Sequence, residues 1–159
     1  MIIKGLIDED FVNYKKPAMY IAFPSCTWKC ERECGMRVCQ NGALAQAPAI
    51  VLSTSEIVDR YINNPLTSSI IMAGLEPLDS EKDMVALIQQ LRLVTQDDII
   101  IYTGYSEEEV KDRQIYKVLL QAKNVVVKFG RFVPNQQPHY DEVLGVKLAS
   151  DNQYARRIS

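Results

Sequence analysis

Residues 69–91 read SIIMAGLEPLDSEKDMVALIQQL, and this stretch decides the fold class. Ile70 to Met72 is a continuous apolar run, which is typical of a strand buried on both faces of a sheet. After a turn, Ser80 and Asp83 open a segment whose apolar residues recur at helical spacing, at Met84, Leu87, Ile88 and Leu91. The stretch therefore predicts a strand, a turn and a helix.

The same unit recurs along the chain. Further apolar runs predict strands at residues 18–23, 98–102 and 125–127, and a last short strand at residues 144–148. Two capping boxes predict helices, Ser53 with Glu56 for one to about Asn63 and Ser106 with Glu109 for one to about Ala122. Continuously apolar strands that alternate with amphipathic helices favour right-handed βαβ units. We therefore predict a single α/β domain over residues 1–159, with an open parallel sheet of βα units.

The composition excludes several classes of protein. With 18 Lys and Arg against 20 Asp and Glu, the net charge of −2 gives no reason to expect binding to nucleic acid or to an anionic membrane. No run approaches the roughly 18 apolar residues that a membrane-spanning helix needs. The first residues turn acidic by Asp8 and lack a signal region, so we expect a cytoplasmic protein.

All four cysteines lie within one short segment, at Cys26, Cys30, Cys34 and Cys39. In a reducing compartment such a cluster predicts metal binding or catalysis and not a disulfide framework. Structural zinc sites usually combine two cysteine pairs separated by a dozen or more residues. The compressed spacing therefore favours an iron–sulfur cluster, with zinc and uncommitted thiols as the open alternatives.

The unusual residues of the chain fall where the predicted strands end. The strand exits lead into the cysteines and into residues 73–77, 103–105 and 128–130. In parallel α/β sheets, ligands bind beyond the carboxyl ends of the strands. One site on one rim of the sheet is therefore predicted.

The motifs at this rim also carry a family resemblance. Cys26 and Cys30 are separated by three residues, Cys39 is followed by Gln40 and Asn41, and residues 73–77 read AGLEP. Together these motifs resemble the radical S-adenosylmethionine (SAM) superfamily. Within it, the chain most resembles anaerobic ribonucleotide reductase activating proteins, at residues 98–105, 128–132 and 150–153. The resemblance covers most of the chain from about residue 19 onward.

The resemblance implies a fold and a reaction. The fold would be a partial radical-SAM-type barrel around a 4Fe-4S cluster. The enzyme would be an oxidoreductase that cleaves SAM reductively to methionine and a 5′-deoxyadenosyl radical, which abstracts a hydrogen atom. The implied partners are a glycyl radical enzyme, such as an anaerobic ribonucleotide reductase, and a reduced electron donor such as a flavodoxin or ferredoxin.

The resemblance also assigns site residues. Cys26, Cys30 and Cys39 would hold the cluster and leave its fourth iron open to SAM. The expected SAM-binding residues are Gly74, Leu75, Glu76, Thr103 and Gly104. In this assignment Gly74 lets the ligand approach the backbone closely, and Glu76 accepts a charge-assisted hydrogen bond from an ammonium group.

Two departures from the family pattern keep a second function open. The superfamily places two residues between its second and third cysteines, whereas eight separate Cys30 from Cys39, and Cys34 lies among them. Cys34 is then either a displaced third ligand or a fourth one, and a fourth ligand would close the cluster. Leu75 also replaces the second glycine of the Gly-Gly-Glu-Pro motif. The alternative is a non-enzymatic four-cysteine metal module, either an electron-transfer iron–sulfur protein or a zinc-stabilised interaction domain.

Overall fold

A central six-stranded sheet organises the chain, and the computed structural model describes all 159 residues. The strands are β1 (Ile2–Ile3), β2 (Gly5–Asp10), β3 (Ala18–Phe23), β4 (Ile50–Val51), β5 (Ser69–Gly74), β6 (Asp98–Tyr102), β7 (Val125–Phe129), β8 (His139–Asp141), β9 (Val146–Leu148) and β10 (Tyr154–Arg157). The helices are α1 (Lys29–Cys34), α2 (Gly42–Gln46), α3 (Thr54–Ile62), α4 (Glu81–Val94), α5 (Glu107–Val110) and α6 (Gln114–Gln121), with a 3₁₀ turn at Pro77–Ser80 before α4.

The sheet is mixed and not entirely parallel. Its spatial order is β10-β7-β6-β5-β3-β2, and the four central strands run parallel as predicted. At the two edges, however, β2 pairs antiparallel with β3, and β10 pairs antiparallel with β7. The prediction of an all-parallel sheet was therefore wrong at both edges. The partial barrel implied by the resemblance is not confirmed by this topology.

One of the two helices predicted from capping boxes differs from its prediction. The capping box at Ser53 is present, since its hydroxyl accepts from the amide of Glu56 and the Glu56 carboxylate accepts from the amide of Ser53. The capping box at Ser106 is present too, but the single helix predicted to follow it is divided into α5 and α6. The chain is extended at Arg113, whose guanidinium donates to the Leu78 carbonyl oxygen at 2.7 Å. This hydrogen bond ties the break between α5 and α6 to the preceding unit.

The two faces of the sheet are covered differently. Helices α3 to α6 pack on one face around a large apolar core that includes Phe23, Met84 and Ile101. The other face is covered by Tyr14, Leu144 and Leu148, which come from the connections near the chain ends. The strand predicted at residues 144–148 is shorter, and β9 pairs with β8 in a separate hairpin. No helix is both long and apolar enough to cross a membrane.

The cysteine segment stands apart from both cores. From Pro24 to Val51 no residue is buried, although this segment contains α1, α2 and all four cysteines. Its last two residues form β4, which pairs with β1. The sheet and its cores are therefore built without this segment.

Candidate functional site

The carboxyl ends of β3, β5, β6 and β7 surround a cavity of about 320 Å³. This volume lies at the lower end of the range of roughly 300–1,000 Å³ that is typical of small-molecule sites. The cavity is lined by residues from all four strand exits, from the cysteine segment and from the segment around β9. The exits that the sequence singled out therefore share one space.

Three of the four cysteines line this cavity. Cys26, Cys30 and Cys39 face it, whereas Cys34, at the carboxyl end of α1, is not among its lining residues. All four are free thiols. The structure thus brings together the three cysteines that the resemblance selects and leaves out Cys34.

The cysteine thiols suit one of the two kinds of metal centre better than the other. No three His, Cys, Asp or Glu side chains are gathered closely enough to hold one metal ion. Zinc needs such convergence, because its ligands lie about 2.0–2.3 Å from a single centre. In a 4Fe-4S cluster each thiolate binds a different iron atom, so the sulfur atoms stand apart around a cage. Three thiols around one cavity fit the cluster better than the ion.

The surroundings of the thiols favour metal ligation over nucleophilic catalysis. Burial raises the pKa of Cys26 to about 11, and burial together with the charge of Cys39 raises the pKa of Cys30. Such thiols are weak nucleophiles near neutral pH, whereas a bound metal stabilises the thiolate directly. The Trp28 amide, in a left-handed turn with φ 55°, donates to Cys26 Sγ at 3.2 Å.

Two polar contacts attach the cysteine segment to the rim. The Asp79 carboxylate accepts from the Thr27 amide at 3.0 Å and from the Tyr105 hydroxyl at 2.7 Å. On the other side, Asn41 Nδ2 donates to the Gly74 carbonyl oxygen at 2.7 Å. The residues that flank the cysteines are therefore held by the exits of β5 and β6.

Glu109 joins the cysteine segment to the exit of β7. Its two carboxylate oxygens accept from Arg131 at 2.6 and 2.7 Å, and Lys29 of α1 also donates to it. The Arg131 hydrogen bonds, followed by that of Lys29, lower the pKa of Glu109 to about 2. The carboxylate therefore stays ionised and keeps both cations at the cavity wall.

Gly74 is a glycine because of the neighbouring strand. Its φ is +97°, and a Cβ there would lie 2.7 Å from the Phe23 backbone nitrogen and 2.8 Å from Ala22 Cα. The expected close approach of a ligand is therefore not what requires glycine. The amides of Leu75 and Glu76 are also engaged, because they donate to the carbonyl oxygens of Phe23 and Ser25. Leu75 lines the cavity, and its carbonyl oxygen accepts no hydrogen bond within the chain.

Glu76 was expected to bind a ligand ammonium directly, but the chain itself occupies its carboxylate. One oxygen accepts from Thr103 Oγ1 at 2.7 Å and from the Leu78 amide at 3.1 Å. The other accepts from the Gly104 amide at 2.8 Å. Glu76, Thr103 and Gly104 therefore bind one another and fix the β5 exit to the β6 exit.

This arrangement predicts an unusual dependence of stability on pH. Burial raises the pKa of Glu76 to about 7, although its three hydrogen bonds act in the opposite direction. Between about pH 4.5 and pH 7 the native state then retains a proton that the unfolded chain has lost, so stability falls as pH rises. We expect Glu76 to remove about 2–3 kcal/mol of stability across this window.

Urea denaturation at both ends of the window measures the effect. The Glu76→Gln variant should lose this slope, whereas replacement of the exposed Glu142 by Gln should retain it. Equal slopes in wild type and Glu76→Gln would contradict the assignment.

The sequence places Lys128 at the rim without a role, and it does not indicate that Lys147 joins it there. Lys128 in β7 and Lys147 in β9 both line the cavity, and Lys128 is only 7% exposed. A signal was present, because Lys128 directly follows the apolar run 125–127 inside a strand whose other residues are all apolar. A charged residue in a fully buried strand has to be explained by a partner or a function.

Comparison with protein-family models gives one finding. A family described as a 4Fe-4S single cluster domain matches residues 21–154, which contain all four cysteines and nearly all of the cavity wall. Searches of curated proteins and of solved structures give no match.

Proposed function

Because the chain belongs to the family of 4Fe-4S single cluster domains, we propose that it is an iron–sulfur enzyme that cleaves SAM reductively. One observation carries the proposal. Cys26, Cys30 and Cys39 line a cavity large enough for a small molecule, and Cys34 does not. Three protein ligands leave one iron of the cluster free for an exogenous ligand, and here that position would face a cavity.

When bound, the reduced cluster supplies the one electron that cleaves SAM to methionine and a 5′-deoxyadenosyl radical. The chain's own residues bind and orient the cofactor. The Leu75 carbonyl oxygen is an unused acceptor for the SAM amino group. Glu76 acts indirectly, because its hydrogen bonds to Thr103 and Gly104 keep two sides of the cavity in register. Leu75 therefore does not prevent binding, since the contact uses its backbone.

The substrate and the electron donor are also part of the proposal. Following the family resemblance, the hydrogen donor is a backbone glycine of a partner such as an anaerobic ribonucleotide reductase. The electron comes from a reduced flavodoxin or ferredoxin. The cavity opens at the rim of the sheet, where a segment of another protein can reach it.

The test is reductive cleavage of SAM by anaerobically reconstituted protein. With dithionite as reductant, we expect methionine and 5′-deoxyadenosine in the wild type, measured by mass spectrometry, and none in Cys39→Ala. Ligation of the open iron by SAM should also change the electron paramagnetic resonance spectrum of the reduced cluster. A protein that retains four irons and gives neither result would be an electron carrier. A colourless protein that contains zinc would overturn the cluster as well.

The position of the cysteine segment predicts that the fold survives loss of the cluster. No residue from Pro24 to Val51 is buried, so both apolar cores are complete without it. Iron removal should leave the far-UV circular dichroism spectrum close to that of the reconstituted protein. Faster amide hydrogen exchange should be confined to residues 24–51. Global unfolding on chelation would instead indicate a metal-dependent fold.

A further inference from the structure

We propose that the part of the cavity formed by β7 and β9 binds an oxyanion, a carboxylate or a phosphate, through Lys128 and Lys147, and that this oxyanion lies on the substrate segment of the partner protein. The assignment to the substrate rests on the proposed function. The anion site itself rests only on the geometry of these two lysines.

Lys128 is a buried cation whose hydrogen-bonding capacity is largely unused. Its Nζ donates to the Gly130 carbonyl oxygen at 2.6 Å, which is its one acceptor within the chain. An ammonium group has three donors, so two remain. Lys128 takes part in no ion pair within 4.0 Å. Burying a cation without a counter-ion is costly, and such cost is usual at functional sites.

The acidic side chain whose charge acts on Lys128 does not supply the missing partner. The charge of Glu76 acts on Lys128, but both Glu76 oxygens accept hydrogen bonds from other groups. Burial lowers the pKa of Lys128 to about 8, so the side chain is still largely protonated at pH 7. A positive group with free donors therefore faces the cavity.

A second lysine of the cavity wall, Lys147, also supports an anion site. Lys147 is exposed at the cavity edge and, like Lys128, forms no ion pair within the chain. The other cations of the wall, Lys29 and Arg131, are both bound to Glu109. In a protein of net charge −2, two unpaired lysines at one cavity select a negative ligand. Lysine binds carboxylates and phosphates alike as a point charge.

The small side chain of Ala73 leaves room for such a group. Ala73 lies at the end of β5 and lines the cavity, as does Tyr102 of β6, which pairs with Lys128 in the sheet. The part of the cavity at Lys128 is therefore continuous with the exit of β5, where the proposed SAM contact at Leu75 lies. Cofactor and substrate would be neighbours in one space.

The test compares thermal unfolding of the reconstituted protein at pH 7 in sodium phosphate, sodium acetate and sodium chloride at equal ionic strength. Occupation of the site should raise the wild-type Tm by about 3–6 °C over chloride, and the more effective anion identifies the chemical class. Lys128→Met should lose this difference, and Lys147→Met should lose part of it. Lys117→Met, which alters an exposed lysine of α6 outside the cavity, should keep it. General salt effects are common to all variants and cancel.

In chloride, Lys128→Met should unfold at a higher temperature than wild type, because methionine is buried there without charge. An unchanged response to phosphate and acetate in Lys128→Met would overturn the anion site. If that variant does not fold, the test uses Lys147→Met, which changes an exposed residue. An unchanged response to phosphate and acetate in Lys147→Met would then overturn the anion site. Weaker SAM binding by Lys128→Met would assign the anion to the cofactor carboxylate and overturn the assignment to the substrate. Failure of wild type to cleave SAM, with the anion response intact, would overturn the proposed function alone.

Discussion

Replacement of Cys26, Cys30 or Cys39 by alanine is expected to remove nearly all cluster iron, whereas Cys34→Ala should retain most of it. The reason is their position, because only the first three line the cavity in which a cluster with an open iron has to lie. With two thiolates left, a 4Fe-4S cluster lacks one of its three protein ligands. Loss of Cys34 changes a side chain at the far end of α1 and takes nothing from the cavity.

Iron and sulfide content of the four variants after anaerobic reconstitution measures this effect. Cys34→Ala is the matched control, since it removes the same thiol from the same segment. Near-normal iron in Cys39→Ala together with loss of iron in Cys34→Ala would reverse the assignment. Loss in all four would indicate a cluster closed by four cysteines and would favour the electron-transfer alternative.

Gly74→Ala is expected to destabilise the protein by roughly 3 kcal/mol or more, a large part of the stability of a typical domain. A Cβ at this position would meet the backbone of Phe23 and Ala22 at 2.7 and 2.8 Å, and backbone atoms of a central strand cannot move aside easily. The left-handed φ of +97° adds strain of its own. The change should therefore separate β3 from β5 at the rim.

Gly104→Ala is the matched control for this prediction. It makes the same substitution at the neighbouring exit, where an added Cβ would find only ordinary contacts at 3.5 Å with Arg131 and Glu76. We expect its free energy of unfolding, from urea denaturation, to lie within about 1 kcal/mol of wild type. Equal stability of the two variants would contradict the prediction, because it would show that the backbone of β3 can move away from a Cβ at position 74. The expected loss of stability makes Gly74 variants unsuitable as a direct probe of SAM binding.

The four central strands and the capping boxes could be predicted because their signals are local. A strand covered on both faces is apolar at every position, as at Ile99 to Ile101, and needs no knowledge of its neighbours. The pairs Ser53–Glu56 and Ser106–Glu109 close within one helical turn. These elements are correct to within a few residues at their ends.

The edge strands could not be predicted, because their pairing depends on distant parts of the chain. β10 reads YARR and has one buried side chain, Ala155. It is held by β7 and by an ion pair between Arg157 and Asp98, 59 residues apart. Nothing in these four residues indicates that partner.

The site shows the same division between local and distant information. The cysteine spacing and the rim position were visible in the sequence, but the partners of Glu76 were not. Thr103 lies 27 residues further along the chain than Glu76. In the sequence, such a glutamate and a distant Thr-Gly pair are equally consistent with a ligand site and with hydrogen bonds within the chain. The role of Lys128 could not be predicted, because a single charge after three valines suits an exposed strand end and a cavity wall alike.

The segment from Pro24 to Val51 takes no part in either core, and this determines how the protein responds when oxygen destroys its cluster. Iron–sulfur clusters are destroyed by oxidation, and a protein built around its cluster would then have to fold again. Here the damage would be confined to the cysteine segment. The sheet would stay folded, and Asp79 and Gly74 would stay in position to bind the segment again. Protein that has lost its cluster would therefore stay folded and could bind a new cluster without first unfolding. Repeated cycles of chelation and reconstitution should return full iron content at each round.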